Sequence, residues 1–408
     1  MIPLSRRILM SVVVFIFIFA PNTVPVRNVT GQGDVETSPI EELRNLYDSN
    51  KEFRQTMDKA FTHMRDPDPN TADLWPNPTD VNPWKGKNFD DLLEFFEEWY
   101  YLQPTPSGAQ DEFNYIEKFA WFYYKNEYGQ QIVGQDPGLS WTRDFVEARR
   151  IFLQSPESTA TIQIWVDDPT IHIEEYIVPP GGFESFNQFF IRELKPGTRT
   201  VASPLDDTVL VSPTDCVLNM INPLTPGAKI PTKLNQELNV EELLAGSEYA
   251  QYFETGTAIS CILMPTTYHH YHAVVSGVMV ESRQDVTGSY WGIQDFGSFF
   301  NAGNIGYGAS YSVFERFRRG YFVIQTDEYG YVAMIPVGLD TIGSVVFEEK
   351  YKNVNPQNPV PVYKGDKLGH FEYGGSLVIT LVEQGISSIS IPQGQQIGIF
   401  DSKVPTSK

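Results

Sequence analysis

Gly369-His370-Phe371-Glu372-Tyr373-Gly374-Gly375-Ser376-Leu377-Val378-Ile379-Thr380, close to the C-terminus, is the stretch around which the chain can be read. Two consecutive glycines free the backbone beside Ser376 of side-chain cover, and a β-favouring run follows at once. By itself Gly-Gly-Ser is ordinary turn chemistry. What gives it weight is the rest of the chain, which supplies a histidine cluster and an aspartate of the kind an activated serine needs.

Three of the six histidines fall in Thr266-Thr267-Tyr268-His269-His270-Tyr271-His272, directly after an apolar run. In an extended segment His270 and His272 share a face and His269 opposes them, whereas a turn brings His269 and His272 together. A loop with incidental histidines is the plain alternative. Metal binding ranks low, because no carboxylate stands at a helpful spacing nearby and no Cys/His spacing marks a zinc site. Ser212-Pro213-Thr214-Asp215-Cys216-Val217 puts Asp215 at the start of a predicted strand, where a turn or capping role competes with a catalytic one. Asp, His and Ser on separate strands are the parts of a serine activated by an oriented histidine, a grouping defined by geometry rather than chain order. The Gly-x-Ser-x-Gly elbow is absent around Ser376, which disfavours an ordinary serine hydrolase.

Composition bounds the partners. The chain has 408 residues, 41% of them hydrophobic, enough for two domains or one large elaborated one. A formal charge of -21 and a pI near 4.7 argue against nucleic acid and against electrostatic docking on anionic lipid, so any membrane contact has to be apolar. Arg6 and Arg7, the apolar run Ile8 to Ala20 and the polar, proline-bearing sequence after it read as a secretory signal, with an uncleaved anchor as the alternative. That places the protein in the secretory pathway or outside the cell, and the sequon Asn28-Val29-Thr30 fits such a route. Cys216 and Cys261 could pair in an oxidising compartment, but two small buried thiols are the favoured reading.

The fold class is α+β. From Ser38 to Gln154 the period is helical. Ser38-Pro39-Ile40-Glu41 reads as a capping box ahead of Leu43, Leu46, Tyr47, Phe53, Met57 and Phe61. Further helices are signalled around Phe89 to Tyr100, Phe113 to Tyr123 and Phe145 to Phe152, with a proline-rich connection from Asp66 to Trp84. Thr161 to Val166 and Ile171 to Val178 look like strands, and Pro179-Pro180-Gly181-Gly182 marks a domain boundary. A short helix capped by Ser185 follows. Strands are then predicted at Thr208 to Val211, Val217 to Ile221, Ala258 to Leu263, Ala273 to Val280, Tyr321 to Gln325, Tyr331 to Val337, Gly343 to Phe347 and Ser376 to Val382. The organisation is thus a signal or anchor with linker over 1–33, a helical region over 34–179 and a β-rich domain over 180–408, a barrel or packed sheets with a long insertion between Asp285 and Arg319.

Phe186-Asn187-Gln188-Phe189-Phe190-Ile191-Arg192-Glu193-Leu194-Lys195-Pro196-Gly197, Ser212-Pro213-Thr214-Asp215, Tyr268-His269-His270-Tyr271-His272 with Gly277, Val337-Gly338 with Gly343-Ser344, and Lys364-Gly365-Asp366-Lys367-Leu368-Gly369 running into Gly374-Gly375-Ser376 together resemble the phosphatidylserine decarboxylase family, in order and spacing, over roughly Pro180 to Phe400. The resemblance implies a zymogen that cuts itself between Gly375 and Ser376 and converts Ser376 into a covalent pyruvoyl cofactor. It implies that His272, oriented by Asp215, is the base for processing, and that His269 transfers protons in turnover. The substrate implied is phosphatidylserine, decarboxylated to phosphatidylethanolamine through a Schiff base with its amine, and the two self-cleavage fragments are implied to stay associated. Two residues depart from the pattern. Leu377 stands where members usually carry Ser or Thr, and Cys216 where glycine is common. The long helical extension looks like that of the family's fungal aromatic amino acid decarboxylases, so a free amino acid is the alternative substrate. A catalytically inactive secreted binding protein on this scaffold is the alternative from another class.

Overall fold

The computed structural model describes residues 38–66, 81–106, 109–224, 229–231, 237–286, 288, 317–339, 345–383, 385–386 and 388–389. The predicted signal or anchor, the Asn28 sequon, most of the Asp66–Trp84 connection and most of the Asp285–Arg319 insertion lie outside these residues.

Ser38 opens α1 (Pro39–Ser49) with the expected capping box, its hydroxyl and the Glu41 carboxylate each meeting the other's backbone N–H. The apolar series running on to Phe61 belongs to two helices, because Asn50 ends α1 and caps α2 (Lys51–His63) by accepting from Glu52 N at 3.1 Å and Phe53 N at 3.0 Å. The other helices here are α3 (Phe89–Tyr101), α4 (Ala109–Tyr123), α5 (Glu127–Gly134) and α6 (Gly138–Gln154). Their interior is aromatic: Phe96 packs edge-on against Phe119, Trp141 and Phe145 with ring centroids 5.0, 4.7 and 4.9 Å apart. Among the described residues no helix is long and apolar enough to cross a membrane.

Between Thr161 and Val178 the predicted strands do not form. Ile162–Val166 is a helical turn, α7. Ile162 and Trp165, three apart, are buried while Ile164 is 51% exposed, and the Trp165 indole N–H donates to Pro104 O at 2.8 Å. The spacing was helical and the β-branched composition misled. Ile171–Val178 is two 3-10 turns, Pro169–Ile171 and Ile173–Glu175, separated by His172 at φ 51, and ends in a single bridge from Tyr176 to Leu194. Ser185 caps α8 (Phe186–Phe190) as expected, accepting from Gln188 N at 3.1 Å. Thr208–Val211 is irregular.

The β-rich part contains β1 (Val217–Pro223), β2 (Lys229–Pro231), β3 (Glu237–Asn239), the short α9 (Val240–Leu243), β4 (Thr257–Leu263), β5 (His270–His272), β6 (Gly277–Val286), β7 (Arg319–Gln325), β8 (Tyr331–Leu339), β9 (Val345–Phe347), β10 (Val360–Val362), β11 (Lys367–Phe371) and β12 (Gly375–Val382). Seven strands form an antiparallel sheet in the order β1-β4-β12-β8-β7-β6-β10, three form a second sheet, β5-β11-β9, and β2 pairs with β3. The predicted strand at Ala273 begins only at Gly277. Residues before it are taken by a turn in which Ala273 N donates to Asp366 O and Gly365 N to Ala273 O, each at 2.8 Å.

Alternation along β12, an interior strand between β4 and β8, sorts two cores. Leu377, Ile379 and Leu381 join one continuous apolar cluster with Phe96, Trp99, Phe119 and Phe145 of the helices. Val378 and Val382 join the other, with Tyr271, Phe347 and Phe371 of the small sheet. Ser376 shares the parity of Val378 and so faces the second core.

Candidate active site

β11 ends at Phe371, and three residues later the chain re-enters the large sheet as β12. Gly374 makes this reversal at φ 145, a backbone region that a side chain would oppose. Ser376, the second residue of β12, pairs with Leu263 on one side and Gly338 on the other. It is 1% exposed, and its Oγ has no hydrogen-bond partner among the described residues. A buried hydroxyl left unpaired costs about 1–3 kcal/mol, but Ser260 of β4 and Thr380 of β12 share that state, so what sets Ser376 apart is its place directly after the glycine reversal.

His269 lies beside this reversal. Phe371 N donates to His269 O at 2.9 Å, which fixes the backbone of the histidine against the end of β11. Its ring stacks on Phe190 with centroids 3.8 Å apart, and Phe190 packs edge-on against Tyr373 at 5.0 Å. The side chain is 0% exposed and, among the described residues, neither ring nitrogen has a hydrogen-bond partner of good geometry, the Thr267 backbone being the nearest approach. Burial, aided by the nearby Arg192 charge, drives its pKa well below the ordinary range and holds the imidazole neutral. Arg192 is itself buried, stacked over Tyr176 and Phe189, and it donates to Thr266 O at 2.8 Å, anchoring the segment that leads into His269.

β5 resolves the choice between strand and turn in favour of the strand. His270 and His272 share a face, both stacked with Tyr268 at 4.8 and 5.7 Å, while Tyr271 between them enters the core. The Tyr268 hydroxyl, whose pKa burial raises, donates to His272 Nε2 at 3.0 Å. His272 Nδ1 lies 2.8 Å from the Gly365 carbonyl, which can only accept, so the proton sits on Nδ1 and Nε2 is the basic nitrogen. Burial lowers the His272 pKa and Asp215 raises it only through space.

The orientation of His272 by Asp215 is therefore not made by a hydrogen bond. Gly365 and Tyr268 orient the ring instead. Asp215 is gripped by Arg199, Nε to Oδ1 at 3.0 Å and Nη2 to Oδ2 at 2.8 Å, and the same Nη2 reaches Glu175 at 2.7 Å. Nor does the structure join Ser376 to either histidine by a hydrogen bond. It sets His269 against Phe371 at the end of β11 and, through Phe190, next to Tyr373, whereas the hydrogen bonds of His272 and Asp215 run to Gly365 and Tyr268 and to Arg199. Tyr268 and Arg192 lay within stretches singled out by sequence. Arg199 carried no signal, since its pairing with Asp215 spans 16 positions and only the folded chain shows it. Cys216 and Cys261 are free thiols within hydrogen-bonding reach of each other.

The family model described as phosphatidylserine decarboxylase matches residues 186–400, slightly more than half of the chain. The chain belongs to the phosphatidylserine decarboxylase family. Among its relatives is phosphatidylserine decarboxylase proenzyme 3 of Schizosaccharomyces pombe, 31% identical over 234 residues that make up 57% of this chain and 22% of that one. The phosphatidylserine decarboxylase proenzyme of Fusobacterium nucleatum is 27% identical over 289 residues, 71% of this chain and 89% of the relative. Phosphatidylserine decarboxylase proenzyme 2 of Oryza sativa is 28% identical over 235 residues, 57% and 35% respectively. The chain thus spans well under half of the yeast and rice relatives and most of the bacterial one. Helices α1 to α6 precede the residues that the family model matches.

Proposed function

We propose that this chain is a self-processing decarboxylase that converts phosphatidylserine to phosphatidylethanolamine, with Ser376 as the precursor of a pyruvoyl group. The observation that carries the reading is the buried Ser376 hydroxyl directly after a glycine reversal, with the neutral imidazole of His269 stacked on Phe190, which packs against Tyr373 in the link that leads to it. Those residues fit the group. The serine stands where the cofactor would have to be made, and the glycine pair leaves the preceding carbonyl open to attack.

In processing, Ser376 Oγ attacks the Gly375 carbonyl carbon and the Gly375–Ser376 peptide becomes an ester, the freed amine staying on residue 376. Removal of the Ser376 α-proton then breaks the Cβ–O bond and releases Gly375 as a carboxylate. Water replaces nitrogen on the remaining residue, and ammonia leaves. His272 Nε2 is the proposed base, its tautomer set by Gly365 and its charge balanced through space by Asp215, and Tyr268 must release it first. The pyruvoyl group, once formed, supplies a carbonyl for Schiff-base chemistry with the substrate amine and a sink for the electron pair that carbon dioxide leaves behind. His269, held neutral beside the same backbone, delivers the proton that replaces carbon dioxide.

Denaturing gels and product analysis test this. Purified protein is expected as two fragments and Ser376→Ala as one uncut chain. With phosphatidylserine vesicles the cut protein should release carbon dioxide and form the ethanolamine lipid, while His269→Ala should cut but lose at least about a hundredfold in turnover. An uncut wild-type chain overturns the reading. Carbon dioxide released only from free tyrosine or tryptophan would replace the lipid by a soluble amino acid.

A further inference from the structure

Glu372, in the three-residue link between β11 and β12, ties the helical part of the chain to the backbone ahead of Gly375. Its side chain is 9% exposed, yet Gln154, Asn187 and Arg150 all reach its carboxylate. Gln154 Nε2 donates to Oε1 at 2.7 Å, Asn187 Nδ2 to Oε1 at 3.3 Å and Arg150 Nη1 to Oε2 at 3.3 Å. The Asn187 carboxamide works at both ends, because its Oδ1 also accepts from Tyr373 N at 3.4 Å. Arg150 is held in turn by Glu147, one turn back on α6, with Nε to Oε2 at 2.8 Å and Nη2 on the other oxygen. Apolar contacts flank the network. The Tyr373 ring packs edge-on against Phe186 at 5.1 Å and shares a core with Phe152 and Leu153 of α6.

The arrangement does more than pack. A buried ion pair seldom outdoes a well-packed apolar substitute in stability, but it fixes direction. Here residues 372 and 373 are each held by directional bonds, and Gly374 at φ 145 is the joint left between them and the scissile peptide. We propose that Arg150 and Gln154 of α6, with Asn187 of α8, are positioning residues that aim the Gly375 carbonyl at Ser376 Oγ. The helical region ahead of the family-matched residues is then part of the processing machinery in cis. The inference rests on the self-cleavage reading above. None of the three residues touches the reacting atoms; all act through Glu372 and Tyr373, and misplacing a reacting centre by about 1 Å can cost about a hundredfold in rate.

The test measures self-cleavage rates of Arg150→Ala, Arg150→Lys, Gln154→Ala and Glu372→Gln on denaturing gels, alongside each variant's thermal midpoint. Met57→Ala, buried in the helical core away from the link, is the control for lost stability. Arg150→Ala and Gln154→Ala should slow cleavage about tenfold or more at a midpoint no lower than that of Met57→Ala, which should still cleave when folded. Arg150→Lys should recover most of the rate, because one nitrogen makes the contact to Glu372. Wild-type cleavage rates in both alanine variants, or slowing that tracks the midpoint equally in Met57→Ala, would overturn the clamp. If the wild-type chain itself stays uncut, the self-cleavage reading has failed instead, and the two failures are told apart on one gel.

Discussion

At the scale of residues, the reading turns on two neighbours that point opposite ways. Ser376 faces the small-sheet core, and Leu377 is 0% exposed in the core shared with the helices. The departure at Leu377, where a Ser or Thr was anticipated from the resemblance, has a packing explanation: the side chain is fully buried in the larger apolar cluster, where a leucine fills the space. Leu377→Thr should therefore lower stability by about 1–3 kcal/mol through a buried hydroxyl without speeding cleavage. Urea unfolding and a cleavage time course check it, and faster cleavage in the variant would show that the leucine limits processing. Residue types at the site were legible because serine, histidine and aspartate chemistry is local to each side chain. Their partners were not. That Gly365 and Tyr268 hold His272 while Arg199 holds Asp215 depends on contacts made across the fold.

At the scale of elements, periodicity located α1, α3, α4 and α6 and most strands of the large sheet, since each buries one face over several turns or pairs. It failed at α7, where five residues are too few for the period to outweigh β-branched composition, and it passed over β10 and β11, whose glycine, proline and lysine content masks the alternation. β5 and β11 also bring an unusual group of histidines together. His270 Nε2 donates to Ile191 O at 2.8 Å, its Nδ1 is 4.0 Å from Glu193, and its ring lies 5.4 Å from that of His370, with Lys367 bonded to Glu193 beyond. Burial pushes His270 down to about 4 against an ordinary 6.5, despite the pull of Glu193, and lowers His370 as well. The folded chain thus resists protons that the unfolded chain accepts near 6.5. Stability is complete above that pH and is lost as pH falls from there toward about 4. The urea midpoint should drop between about pH 7.5 and about pH 5, and drop less in His270→Gln. An equal drop in both proteins would remove His270 from the explanation.

At the scale of the whole molecule, the self-cleavage reading puts the cut at an edge of order: the small fragment begins as an interior strand of the large sheet, between β4 and β8. β12 pairs along its length with β4, from Ser376 opposite Leu263 to Val382 opposite Thr257, and with β8, from Gly375 opposite Leu339 to Val382 opposite Val332. Leu377, Val378, Ile379 and Leu381 are all fully buried, split between the two cores. At roughly 1.5–3 kcal/mol for each such side chain, burial alone contributes on the order of 10 kcal/mol to holding the small fragment, before either ladder of hydrogen bonds is added. Cutting one peptide bond at the mouth of the strand removes none of those contacts. The two fragments should consequently co-elute as one species in native gel filtration and separate only in strong denaturant. Ile379→Asp, which places a charge in the core shared with the helices, should weaken their association or block folding before the cut, whereas Ser376→Ala should elute at the same volume as the processed pair. Separate elution of wild-type fragments under native conditions would mean that the strand leaves the sheet after cleavage, and that the mature site is not the one built around β12.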